Sequence, residues 1–322
     1  MGTSMVVARP GLIRRFFAGL WRALNFARQL IFNLLFLAIV GILLLAWLAS
    51  DGPVVVAPNT SLVVNLQGDI VEEYTIGPRE AAVAEALGEQ RFETRVRDVS
   101  QALDAAAKDA HITRAVLVLD DMRGAGTATL REVGAAIERF KASGKPVYAW
   151  GESYSQPQYY LAAHANEVYL HPAGALTVRG LEATRGYYKT LLDKLGVKVN
   201  AFQAGRYKSF SEPFTRTGAT PEAKEADTLL LSGVWSIWTA DVERARKLTA
   251  GAIDSAIADL PQRLTVAGGD IARLALNERL VDGLKTRDQF RDQLLQGGAP
   301  RSREDEETFQ QVSFYSYLRS LP

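Results

Sequence analysis

The chain has 322 residues, 48% of them hydrophobic and 23% charged, enough to bury the core of one large or two small domains. Its 37 basic and 36 acidic residues nearly cancel, which argues against a nucleic-acid surface, and the absence of cysteine excludes disulfides, thiolate metal sites and a cysteine nucleophile. His111, His164 and His171 show no metal-ligand spacing, so neither a metal nor a cofactor is expected.

Charge is unevenly distributed along the chain. Arg9, Arg14, Arg15, Arg22 and Arg28 precede the apolar run Leu30 to Leu48, which Asn33 alone interrupts, and Asp51 follows it. Nineteen helical residues at ~1.5 Å rise cover roughly 28 Å, close to the ~30 Å hydrocarbon core of a bilayer. The long basic stretch, and an apolar run exceeding the usual ~7–15 residues of a signal-peptide h-region, favour an uncleaved anchor over a signal peptide. The positive-inside rule then puts the amino terminus in the cytoplasm and the rest of the chain outside it. Phe16, Phe17, Leu20, Trp21 and Leu24 mix with arginines at helical spacing, so residues 1–29 are expected to form a basic amphipathic segment on the anionic inner leaflet. A plain extension of the anchor is the alternative. Residues 49–60, with Gly52-Pro53 and Pro58-Asn59, read as a linker.

From Ser61 onward the patterning alternates between helix and strand. Strands are expected at 61–66, 115–119, 147–150, 167–170 and 197–202, and helices from Val96 to about Ala107 and at 127–142, 157–165, 186–195 and 221–248. Thr220-Pro221 supplies a cap and a proline at the first helical position of the last of these. Repeated helix and strand units with right-handed crossovers imply an α/β domain with a largely parallel sheet, here over residues 61–290. Trp235 and Trp238 share a helix face and are expected in the core. Arg123-Gly124-Ala125-Gly126-Thr127 lacks the third glycine of a dinucleotide fingerprint and reads as a strand-to-helix turn; Asp120-Asp121 reads as a solvated strand end. The polar run Arg301 to Glu307 makes residues 291–322 an expected linker toward a further domain.

The most informative stretch is Gly205-Arg206-Tyr207-Lys208-Ser209-Phe210-Ser211-Glu212-Pro213-Phe214. A lysine works as a base near neutrality only if its pKa, ordinarily ~10.4, is pulled down by desolvation or a neighbouring positive charge. Tyr207, Phe210, Pro213 and Phe214 are the candidates for apolar cover around Lys208. Glu212 either caps a helix or pairs with Arg206; beside a base it would oppose the neutral form.

This decapeptide, together with Tyr159-Tyr160-Leu161-Ala162-Ala163-His164-Ala165-Asn166, resembles the tandem, protease IV type of signal peptide peptidase A, and the likeness runs from the apolar segment to the last residue. The resemblance implies a ClpP/crotonase-like superfold of ββα units, a membrane-anchored serine endopeptidase with a Ser/Lys dyad, and hydrophobic signal peptides as substrates. It also implies a homotetramer on the bacterial inner membrane with the globular part in the periplasm. In that family the amino-terminal half donates the lysine, which Lys208 matches, and the carboxy-terminal half donates the serine, so this chain corresponds to the lysine half without its partner. Counting back from Ala165-Asn166 puts Gln156 at the nucleophile position, and counting forward puts Val178 where the catalytic half has the serine that holds the lysine. Ser155, next to the vacated position, reads as a loop residue. A noncatalytic membrane-bound scaffold is the rival reading; an acyl-CoA enzyme is disfavoured by the anchor and by the absence of any coenzyme A cue.

Overall fold

The computed structural model describes residues 12–48, 55–75, 77, 80, 83, 92–302 and 305–321. Arg9 and Gly52-Pro53 lie outside these residues. The chain divides into two units, residues 1–54 and 55–322.

Among its described residues the first unit is a helix, α1 (Leu12–Leu48). Its stretch Gly19–Leu45 has mean hydropathy 2.2 and is, by length and composition, apolar enough to cross a membrane. No break separates the expected surface segment from the expected span. Residues 12–29 continue the helix into the expected span.

The second unit is built on two parallel sheets. Strands β1 (Thr60–Asn65), β2 (Gly68–Val71) and β3 (Glu93–Arg95) lead into helix α2 (Val96–Lys108). Strands β4 (Ile112–Val118) and β5 (Met122–Ala125) precede α3 (Thr127–Ala142). Then follow β6 (Val147–Gly151), α4 (Gln156–Ala163) and β7 (Glu167–Leu170). The larger sheet runs β8-β7-β6-β4-β1-β9 and the smaller β3-β2-β5, where β8 is Gly283–Leu284 and β9 is Gln311–Ser313. Every strand pair is parallel, because a helix or long crossover returns the chain to the same edge each time. Both faces of the larger sheet are covered, so β4 reads as a nearly continuous apolar run rather than an alternating one.

Val99, Leu103 and Ala106 of α2 and Val133, Ile137 and Phe140 of α3 are all within 1% of full burial, the i, i+3/i+4 stripe that a helix lays on a sheet. Helix α7 (Pro221–Ala245) starts at Thr220, whose Oγ1 accepts from Ala223 N at 3.2 Å. On this helix Trp238 is buried and Trp235 half-buried, their rings stacked with centroids 5.2 Å apart. Three short helices follow, α8 (Ala252–Ala258), α9 (Leu260–Val266) and α10 (Ile271–Asn277), and later α11 (Arg287–Gln296) and α12 (Phe314–Ser320).

Three expectations are corrected. Residues 122–125 form an edge strand of the smaller sheet, so the Arg123-Gly124-Ala125 segment is not merely a turn. Residues 291–322 are not simply a linker: β9 pairs with β1, and Phe314 and Tyr317 are at most 1% exposed within the core. Residues 197–202 do not form a strand, because no neighbouring strand supplies their hydrogen-bond partners.

Candidate active site

Lys208 sits on an arm between β7 and α7. The arm starts where Tyr154 bridges Leu176, carries the short helix α5 (Lys189–Lys194), turns back through Lys208 and returns by the single-turn helix α6 (Glu212–Thr215). Gly205, at φ +106°, makes the turn, a conformation costly for any residue with a Cβ, and Lys208 N reaches Gly205 O at 3.4 Å. The Lys208 side chain is exposed and, among the described residues, enters no hydrogen bond or ion pair. Phe202, Gln203, Ala204, Phe210 and Ser211 join it in lining a depression of about 300 Å³.

The expected apolar cover is not closed over this lysine. Phe202 is fully exposed, Phe210 is 91% exposed and Tyr207 is 53% exposed. Phe202 and Phe210 stand on the arm with almost all of their surface in solvent, whereas Tyr207 lies under the Arg206 guanidinium, 5.8 Å from the ring centroid. Tyr188 and Phe214 do stack, with centroids 6.1 Å apart, and Tyr188 N donates to Pro213 O at 2.6 Å, which ties the outgoing limb of the arm to the returning one.

Glu212 does not reach Lys208 or pair with Arg206. Its Oε1 accepts from Thr220 Oγ1 at 2.6 Å and its Oε2 from Thr220 N at 3.1 Å, and these bonds hold its carboxyl below the usual range. Arg206 pairs instead with Glu222 at 3.5 Å, and Tyr207 Oη donates to Glu225 at 3.2 Å, so the Lys208 turn is clamped to the first turns of α7. On the outgoing limb Arg185 meets Asp227 of α7 at 2.6 Å. With Glu212 engaged elsewhere, Lys208 is left unpaired among the described residues in a depression that Phe202 and Phe210 also line.

Gln156, expected at the nucleophile position, opens α4, and its Oε1 accepts from Arg179 N and Gly180 N, each at 3.1 Å, so the amide anchors the root of the arm. Ser155 stands outside the helix, at the position just before α4: its N donates to Gln158 Oε1 at 2.7 Å, its Oγ is buried without a hydrogen-bond partner among the described residues, and Gln158 Nε2 holds the carbonyls of Leu119 and Met122, each at 2.8 Å. Val178 is half-buried against a separate apolar cavity. Gln156's hold on the arm is a contact that its residue type alone did not announce. Among the described residues no group of three or more histidine or acidic side chains is placed to hold a metal ion.

The Peptidase family S49 domain matches residues 139–298, which include α4, the Lys208 arm and α7. The chain is 34% identical over 317 residues to Protease 4 of Salmonella typhi, covering 96% of this chain and 51% of that protein. The chain belongs to the signal peptide peptidase A and protease IV family of serine peptidases. Protease 4 of Haemophilus influenzae (strain ATCC 51907 / DSM 11121 / KW20 / Rd) is 33% identical over 272 residues, 83% of this chain and 44% of that protein. The chloroplastic serine protease SPPA of Arabidopsis thaliana is 26% identical over 140 residues, 44% of this chain and 20% of that protein. The chain thus spans about half the length of the Protease 4 relatives it matches. The mixed α/β architecture with its parallel sheets is the ClpP/crotonase-like superfold of family S49.

Proposed function

We propose that this chain supplies the lysine base of a membrane-anchored Ser/Lys endopeptidase, with Lys208 in that role and the serine contributed by sequence outside these 322 residues. The observation that carries the reading is the free Lys208 Nζ, held on a braced arm, in a chain whose own nucleophile position is filled by Gln156. When a second domain seats on the arm, Phe202, Tyr207 and Phe210 would exclude water from the amine and favour its neutral form. Neutral Nζ then takes the proton from serine Oγ as Oγ attacks the peptide carbonyl, backbone N–H groups hold the tetrahedral oxyanion, and the ammonium returns the proton to the departing amine. Only then is an acyl-enzyme left for water to hydrolyse.

The helix Leu12–Leu48 would anchor the protein in the bacterial inner membrane, with arginines on the cytoplasmic side and the catalytic unit in the periplasm. Hydrophobic signal peptides left in the bilayer are then the substrates within reach. The exposed aromatic and aliphatic side chains of the arm, Leu191, Leu195, Phe202 and Phe210 among them, support assembly into a homotetramer in which the arm is covered.

Lys208→Arg in the complete gene product tests the assignment. Arginine keeps the charge and much of the volume but has essentially no neutral form. Peptidase activity should fall by well over tenfold, with membrane insertion unchanged. Retention of more than about a tenth of kcat/KM, a loss under ~1.4 kcal/mol, would remove Lys208 from the role. A complete product without any peptidase activity would favour the noncatalytic scaffold.

A further inference from the structure

A second cavity, of about 290 Å³, lies between the segment 176–179 and helices α8, α9 and α10. Its walls are mainly aliphatic, with Leu176, Val178, Ile253, Ile257, Leu264 and Leu274 the principal contributors. Apolar cavities of ~150 Å³ stay dry and admit benzene, so this one has room for an aliphatic chain on the order of ten carbon atoms. Such a volume lined by hydrocarbon is unfavourable to leave empty and offers water few partners.

The charged groups at its edge decide what else the ligand carries. Arg263 is already neutralised, its guanidinium meeting Glu278 at 2.5 Å and Asp259 at 3.5 Å, so Glu278 is not free to attract a cation. Arg179, whose backbone N is held by Gln156, also lines the cavity, is exposed, and has no ion pair or side-chain hydrogen bond among the described residues. An aliphatic chamber with one uncompensated guanidinium at its lip complements an amphiphile of opposite charge. We infer that this cavity is a binding site for an aliphatic carboxylate of medium chain length, the alkyl chain lying between α8, α9 and α10 and the carboxylate meeting Arg179. The inference does not depend on the peptidase reading, since this cavity shares no lining residue with the depression at Lys208.

Photolabelling of the full chain in nanodiscs with a diazirine-bearing decanoic acid, and with the matching alcohol, tests it. The acid should label peptides from residues 252–277. Ala256→Phe, which places a ring in the cavity from a half-buried helix position, should cut that labelling about tenfold while circular dichroism and melting stay near wild type; Leu264→Phe serves if Ala256→Phe fails to fold. Arg179→Gln should reduce labelling by the acid about fivefold and leave the alcohol unaffected, as expected for loss of one partly solvated ion pair. Unlabelled decanoate should compete, whereas a peptide with a carboxy-terminal leucine, which presents the same chemistry from another source, should not. Labelling confined to α1, indifference to both cavity-filling variants, equal effects of Arg179→Gln on acid and alcohol, or displacement by the peptide alone would each overturn the assignment.

Discussion

Glu212 and Thr220 close the base of the lysine arm, with both carboxylate oxygens of Glu212 engaged by the hydroxyl and the backbone N–H of Thr220 at 2.6 and 3.1 Å. Thr220 also caps α7 through Ala223 N, so one residue joins the arm to the helix that supports it. The Glu212 carboxyl is held below its usual range, and its contribution is therefore complete above the unfolded pKa and lost as pH falls through the folded one. Glu212→Ala should leave the sheets folded but make the segment around residues 203–216 markedly easier to cleave by added trypsin at neutral pH. Unchanged cleavage would mean that the brace is not what orders the turn.

Gln156 is expected to act by position rather than by chemistry. Gln156→Ala frees the N–H groups of Arg179 and Gly180, and a melting loss on the order of 1–2 kcal/mol should follow. Gln156→Glu retains an acceptor oxygen there and should restore most of it. Equal losses in both variants would show that those two bonds do not anchor the arm.

Acid should destabilise the second unit through His164. This residue is 7% exposed, its Nδ1 lies 3.0 Å from Glu138, and its other ring nitrogen packs against Gly134, where a Cβ would come within 2.8 Å. Lys141 reaches Glu138 at 3.1 Å and the His164 carbonyl at 2.8 Å, while Asp241 acts on the imidazole from α7. Burial lowers the imidazole pKa by more than Glu138 raises it. The folded chain thus prefers neutral His164, and stability present above ~6.5 is lost as the unfolded chain takes up the proton below that value. For Glu138 burial raises the pKa, but hydrogen bonds from His164 and Lys141 outweigh it and lower the net value, so its contribution also disappears with falling pH. Tm should decline between about pH 7 and pH 5, and His164→Gln should flatten the upper part of that decline. A Tm that rises on acidification would contradict the sign.

The carboxy-terminal strand and helix belong to the fold. Phe314 has no exposed surface, and β9 extends the larger sheet beside β1. Phe314→Ala should cost about 3–5 kcal/mol, measured by denaturant unfolding of residues 55–322. A cost under ~1 kcal/mol would return these residues to linker status.

What the sequence disclosed follows from where its information is physically set. The span of α3 at 127–142 and of β7 at 167–170 was legible to the residue, because burial against a sheet writes its period directly into the side chains. Val197, Val199 and Ala201 alternate in the same way, yet no strand forms there, since alternation cannot supply the neighbouring edge that hydrogen bonding requires. β9 was hidden by its length of three residues and by the charged run just before it. At the candidate site, the motif led to Lys208, but the exposure of Phe202 and Phe210 depends on what packs against the arm and has no local signature. Gln156 was read as a missing serine. Its two backbone bonds, twenty-three and twenty-four residues away, became visible only in three dimensions.

Chemical rescue at position 208 tests the base assignment most directly. The 322 residues contain no cysteine, so Lys208→Cys introduces the one thiol among them, on an exposed turn that reagents can reach. Aminoethylation of that thiol rebuilds an amine of nearly lysine length, with the unsubstituted protein treated in parallel as control. The expected result is that Lys208→Cys in the complete gene product hydrolyses peptide at least about a hundredfold more slowly than wild type, and that aminoethylation returns at least a tenth of the activity. Undiminished activity in Lys208→Cys, or a stoichiometrically aminoethylated and folded protein that stays inactive, would contradict the account.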